Sequence, residues 1–341
     1  MIDARLNKIL WAVVESYISN PDPVGSRFVT KKYAFGLSPA TVRNIMADLE
    51  DMGFLHQPHT SAGRVPTDKG YRFYVDALFK REEELCTGCP DEVYERLGDI
   101  RDDINMLLNE ATRTLSAHSH YVGIALSPKP EKTIPIKISL FRHRDDHVVV
   151  TLMTDEGIIR NKIIRLDRKL SLRDLERVSE YLNSRFVGRT LDEIRSVILR
   201  EMLHDKAICD DLIAEAIRVC QEELYFGSSE VFISGLSEVL CLPDFSDLVR
   251  IREISKAIED KHLIIKLLDG MADTEGVSVL IGSENPAEGM QKLSIVVSTY
   301  KEGERPIGTI GIIGPTRMDY VKAINIVDTT AKFITRMLSE K

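Results

Sequence analysis

Apolar residues recur at helical spacing through the first part of the chain. Leu6, Ile9, Leu10, Val13 and Tyr17 predict an amphipathic helix, stopped by Pro21-Asp22-Pro23. Ser26 to Ala34 predicts a short second helix, and Gly36 turns the chain. Ser38 and Pro39 are an N-cap hydroxyl followed by a residue pre-set for the first helical position, so a third helix begins there. Its apolar side is Val42, Ile45, Met46 and Leu49, and Gly53 supplies the left-handed stop. The period then changes. Phe54-Leu55-His56-Gln57 is extended, Pro58 ends ladder pairing, and His59-Thr60-Ser61-Ala62-Gly63 is a polar tip returning through Arg64-Val65. Thr67 caps a fourth helix whose inward stripe is Tyr71, Tyr74, Val75 and Leu78. Three helices, a hairpin and a helix are the order of a winged helix-turn-helix.

Arg81 to Asp91, with three consecutive glutamates and Gly88-Cys89-Pro90, reads as a linker. Val93, Leu97, Ile100, Ile104, Leu107, Ala111 and Leu115 then recur in alternating fours and threes, predicting one long helix whose seam is covered by a partner helix or by a sheet of the same chain, the sheet being favoured because three to four heptads are short for a self-sufficient coiled coil. Tyr121 to Leu126 is a strand, and three more follow as a meander at Ile136 to Phe141, Val148 to Met153 and Ile158 to Leu166. Helical spacing covers Ser171 to Phe186, Thr190 to Leu203 and Ile208 to Tyr225. A strand at Val231 to Gly235, a helix over Phe245 to Leu268, strands at Val277 to Ile281, Leu293 to Tyr300 and Pro306 to Ile313, and a helix from about Asp319 complete the pattern. This is an α+β sandwich resembling a GAF-like domain.

Charge sharpens the reading of the first eighty residues. They hold ten basic and eight acidic groups, hence +2, which leaves −10 of the chain's −8 for the remainder. From Arg27 to Ala47 there are four basic residues, Arg27, Lys31, Lys32 and Arg43, and no acidic one. That is the local sign phosphate needs, with binding confined to this part and weakened by salt. The outward face of the third helix carries Ala40, Asn44 and Ala47, flanked by Thr41 and Arg43. Such side chains can enter a major groove, Asn44 pairing with an adenine edge and Arg43 with guanine or phosphate. Ser38, His59, Thr60 and Ser61 offer small donors to phosphates, Arg64 is a minor-groove probe, and Lys69 and Arg72 are phosphate candidates on the outward side of the fourth helix. Taken singly, each has a plain alternative as a solvated surface residue; the cluster as a set points to DNA. One such unit contacts few base pairs, so a two-fold homodimer on an inverted repeat is expected.

The strings SPATVRNIMADLEDMGFL and PHTSAGRVPTDKGYRFYVD, with the late GTIGIIGPTRMDY, resemble the family of heat-inducible transcription repressors called HrcA. The resemblance implies a dimeric winged-helix repressor of chaperone operons that binds an inverted-repeat operator, the CIRCE element, and depends on the chaperonin GroEL for its active state. It also implies that a dimerising domain is inserted in the GAF-like one. The expected division is 1–80 winged helix, 81–91 linker, 92–127 and 230–341 the two segments of the GAF-like domain, and 128–229 the insert. The first strand of the GAF-like domain, near Tyr121, must then pair with strands over a hundred positions later, so folding is slow and chaperone dependence follows.

Other signals change little. Five cysteines in a chain without a secretory signal argue for reduced thiols. Cys86-x-x-Cys89 has no second ligand pair for zinc and lies in the linker, not in a strand-to-helix redox turn. His143 and His147 flank a hairpin turn without further ligands, and the rhythm of Gly308, Gly311 and Gly314 is better explained by a closely packed strand than by a nucleotide loop. No cofactor, metal or catalytic role is assigned, no apolar run is long enough to span a bilayer, and a cytoplasmic protein is expected. Three function classes remain: a chaperonin-responsive repressor, not an enzyme; a regulator with a metabolite in its GAF-like pocket; and a thiol redox enzyme using Cys86 and Cys89.

Overall fold

The computed structural model describes residues 3–59, 62–81, 103–128, 134–144, 147–155, 159–165, 171–190, 230–240, 248–272 and 276–339, with single positions at 97, 100, 193, 194 and 242. The N-terminal unit comprises α1 (Ala4–Ser19), α2 (Ser26–Lys32), α3 (Pro39–Asp51), β1 (Leu55–His56), β2 (Val65–Pro66) and α4 (Asp68–Phe79). Its caps are the expected ones. Ser38 Oγ accepts from the Thr41 amide at 3.1 Å, and Thr67 Oγ1 from the Gly70 amide at 3.2 Å, each worth about 1 kcal/mol. Gly36 and Gly53 take φ of 67° and 77°, where a side chain would be strained. The hairpin is shorter than its extended run: only Leu55↔Pro66 and His56↔Val65 pair. The returning strand continues on its other side, where Arg64 and Val24 exchange two backbone bonds of 2.9 Å.

The long helix predicted from Val93 is divided. Residues 93–96 lie outside the described ones, Ile100 is not helical, and α5 (Ile104–Ser119) starts afresh at Asp103, whose carboxylate accepts from the Asn105 and Met106 amides at 2.8 and 3.2 Å. A carboxylate that caps a helix cannot sit inside one, so the heptad spacing runs across a break. From Ile104 onward the seam is buried, with Leu107, Ala111 and Leu115, against the chain's own sheet.

That sheet has the order β7-β3-β10-β9-β8, with every neighbouring pair antiparallel. Its strands are β3 (Val122–Leu126), β7 (Val231–Ser234), β8 (Val277–Ile281), β9 (Leu293–Glu302) and β10 (Arg305–Pro315). Alternation sorts their side chains into two cores. Ala125, Val296, Ile310 and Ile312 face α5 and the closing helix α10 (Tyr320–Ser339), while Ile124, Ile295, Val297 and Ile313 face α8 (Leu248–Glu259) and α9 (Lys261–Met271). A short α7 (Leu236–Leu240) follows β7. The single helix predicted over Phe245 to Leu268 is therefore two, because Asp260 accepts from the His262 and Leu263 amides and caps the second.

β3 lies between β7 and β10, so the chain leaves the sheet after Leu126 and returns at Val231. Between them β4 (Pro135–Arg144), β5 (His147–Thr154) and β6 (Ile159–Arg165) form a separate antiparallel meander. It is covered by α6 (Leu172–Phe186), which opens with a Ser171–Asp174 capping box and buries Leu175, Val178, Leu182 and Phe186. Asn183 and Ser179 of that helix bond the main chain of edge strand β4 at Ile138 and Leu140. The helices expected over 190–203 and 208–225 fall largely outside the described residues, as do Cys86 and Cys89.

The glycine rhythm of β10 is a packing feature. A Cβ at Gly311 would run into the carbonyl oxygen of Val296 on β9, and one at Gly314 would lie 2.7 Å from the Tyr121 ring. We expect Gly311→Ala to destabilise the protein by about 1–3 kcal/mol, through a backbone shift. Gly270→Ala, on a helix with open space around it, should be neutral or stabilising by up to about 1 kcal/mol. Urea midpoints of the two variants check the contrast.

Candidate DNA-binding interface

α3 owes its position to two sets of contacts. Its stripe of Val42, Ile45, Met46 and Leu49 is buried against α1 and α2, and its N-terminus is fixed by Ser38, whose hydroxyl also lies 2.9 Å from that of Thr41. The opposite side is left to solvent. Thr41, Arg43 and Asn44 are exposed on α3, as are Arg27, Lys31 and Lys32 on α2. Among the described residues, no hydrogen bond or ion pair engages the side chains of Arg27, Lys31, Arg43 or Asn44. Lys32 rests its ammonium over the Tyr33 and Phe28 rings, at 5.2 and 5.8 Å from their centroids. Six of the expected residues are thus exposed on the neighbouring helices α2 and α3, four of them with uncommitted side chains, and no carboxylate lies between Arg27 and Ala47.

The wing differs from expectation. Arg64 does not project outward: its guanidinium makes a 2.7 Å ion pair with Glu50 at the end of α3, and the side chain is only 17% exposed. The other Glu50 oxygen accepts from the Gln57 amide at 3.0 Å, so one carboxylate ties both arms of the hairpin to α3. His59 is exposed at the tip, while Thr60 and Ser61 lie outside the described residues.

On α4 the two phosphate candidates are also placed differently. Lys69 donates to the Met52 carbonyl at 2.9 Å and sits 4.6 Å from the Phe54 ring centroid, closing the end of α3. Arg72 turns toward the five-stranded sheet. Its Nε donates to Glu284 at 2.7 Å, its Nη2 to the same carboxylate and to the Val279 carbonyl, and its Nη1 lies 3.5 Å from Asp76. The hydrogen bond and the charge of Glu284 hold this guanidinium above its ordinary pKa despite partial burial. Asp68, one turn earlier, accepts from the Ser283 amide at 2.8 Å. Nothing in the sequence signalled these partners, which are over two hundred positions away.

The family model described as "HrcA protein C terminal domain" matches residues 105–324. The chain belongs to the HrcA family. Proteins named "Heat-inducible transcription repressor HrcA" are similar along its whole length. One from Thermodesulfovibrio yellowstonii is 43% identical over 100% of this chain and 99% of its own, and one from Geobacter sulfurreducens is 42% identical over 99% and 98%. That of Natranaerobius thermophilus is 38% identical over 99% and 97%. A solved structure described as a hypothetical protein at 2.2 Å resolution shares the fold, with a TM-score of 0.67 and 23% identity over 100% of this chain and 99% of its own.

For an HrcA family member the exposed face of α3 makes a direct forecast. Asn44→Ala and Arg43→Ala should each cost about 1–3 kcal/mol on the cognate operator and relax specificity at one base pair, whereas Lys31→Ala should weaken all duplexes alike and lower the salt slope by about one. Titrations against cognate and scrambled duplex at several salt concentrations separate the two behaviours.

Proposed function

We propose that this HrcA family member represses transcription of heat-shock chaperone operons by binding an inverted-repeat operator, the CIRCE element, as a homodimer whose active state depends on the chaperonin GroEL. The observation that carries the reading is the uncommitted basic and amide face of α2 and α3, on a chain similar from end to end to named repressors. Arg27, Lys31, Lys32 and Arg43 serve as phosphate or guanine contacts, Asn44 as a base reader, and Ser38, Thr41 and His59 to Ser61 as groups near the backbone. Arg64 and Lys69 hold the C-terminal end of α3 through Glu50 and the Met52 carbonyl.

The dimer reading is supported by the meander β4–β6. One side of it packs under α6, while the other carries Phe141 and Ile163, both over half exposed and in register through Val149, with Ile159 a further exposed apolar neighbour. An apolar sheet face of this kind suits a second copy of the chain, and two-fold symmetry matches an inverted repeat.

Chaperonin dependence has a physical basis in the sheet. β3 pairs Leu126 with Thr309 and Gly123 with Ser234, so its stabilising contacts wait for closure of very long loops. Heat-damaged proteins then compete for the chaperonin, active repressor falls, and chaperone genes are released. Among the described residues no helix is long and apolar enough to cross a membrane. The reading requires no catalytic step.

Purified protein should retard an inverted-repeat duplex more than a scrambled one, more strongly at low salt, and the active fraction should rise when chaperonin is supplied. Equal binding with and without chaperonin, at matched folded concentration, would refute the dependence. A shift that requires a small molecule instead would favour the metabolite-regulated alternative.

A further inference from the structure

We infer that α4 and the turn after β8 form a stiff coupling that carries the DNA-reading unit on the five-stranded sheet, with Asp68 and Glu284 as positioning residues that set the spacing of the two reading heads. The spacing consequence rests on the dimeric operator reading above; the coupling itself does not.

Asp68 and Arg72 lie four apart on α4 and so share a face. They grip one short stretch of the sheet domain. Arg72 approaches Glu284 with two nitrogens, which fixes its orientation as well as its distance, and adds a 2.6 Å bond to the Val279 carbonyl. Glu284 cannot swing with it, because its carboxylate also accepts from the Ile281 amide at 2.8 Å. Asp68 takes the Ser283 amide, and Gly282 makes that approach possible: its φ is 50°, and a Cβ there would collide with the Asp68 carboxylate.

Two further ties add to this grip, one of them on another helix of the N-terminal unit. The buried rings of Tyr71 on α4 and Tyr320 on α10 are 5.9 Å apart, within a single apolar core that runs from the N-terminal helices into the sheet. Arg317 Nη1 donates to the Ile18 carbonyl at the end of α1, at 2.7 Å. Ties to both α1 and α4 leave no axis for a hinge. A reading head held this way cannot follow a displaced half-site, whereas a tethered one can.

Trp11, the chain's single tryptophan, packs tilted against Tyr74 within the N-terminal unit, with ring centroids 4.4 Å apart, and reports that unit's tumbling. In full-length protein without DNA, its anisotropy decay should show only the slow rotation of the whole molecule. Glu284→Ala, which removes the charge partner, and Gly282→Ala, which wedges the contact with Arg72 and Glu284 retained, should each add a fast component. A fast component already present in the unaltered protein overturns the coupling, and none in either folded variant overturns the part given in it to Asp68 and Glu284. With operators whose half-sites are moved apart by about five base pairs, roughly half a helical turn, the unaltered protein should lose about tenfold or more in affinity. The two variants should lose only about two- to threefold. An unchanged spacing penalty in both variants removes the positioning role even if their melting temperatures fall. Indifference of the unaltered protein to repeat over scrambled duplex instead defeats the operator reading, and the DNA-free decay still decides the coupling.

Discussion

The central position of β3 is the constraint on which the rest of the structure depends. All five of its residues are buried, and it bonds to β10 on one edge and β7 on the other. Neither partner is close in sequence, so the sheet exists only once both long excursions have closed. The meander β4–β6 with α6 is the first of these excursions and can satisfy its own edge through Asn183 and Ser179. Each side of the sheet then receives its own pair of helices, because alternation along β3, β9 and β10 sends apolar residues to both faces.

The N-terminal unit is joined to this sheet by more than a chain connection. Its core is continuous with the α5–α10 side, and Tyr320 marks the joint: it is fully buried, its hydroxyl lies 2.7 Å from that of Ser294, and burial raises its phenol above the ordinary pKa, so it stays neutral. Polar groups close the rim. Arg72, spent on Glu284 and Val279, is a structural cation. The basic residues thus divide by location, with Arg27, Lys31 and Arg43 on α2 and α3 exposed and outside any hydrogen bond or ion pair among the described residues, and Arg64, Lys69 and Arg72 committed within the protein.

Much of this was legible in the chain. Caps at Ser38 and Thr67, turns at Gly36 and Gly53, the inward stripes of the N-terminal helices and the strand positions of the sheet all follow from local chemistry, and each is where periodicity placed it. Errors arose where a polar cap interrupted an apolar rhythm. Asp103 and Asp260 each accept two amides and start a new helix, which spacing alone read as continuous. A carboxylate in an amphipathic repeat looks the same whether it is solvated or turned back onto the main chain.

By itself the sequence determined the local elements, the basic and amide character of α2 and α3, and a family resemblance carried by long specific strings. It did so because capping, periodicity and charge are properties of neighbouring residues. The tertiary structure alone decided which cations are free. Arg72 and Lys69 share the outward pattern of a phosphate contact, yet Glu284 and the Met52 carbonyl take them up, and Glu50 takes Arg64. An ion pair across two hundred residues depends on where the folded chain brings its partner, and no local pattern encodes that distance.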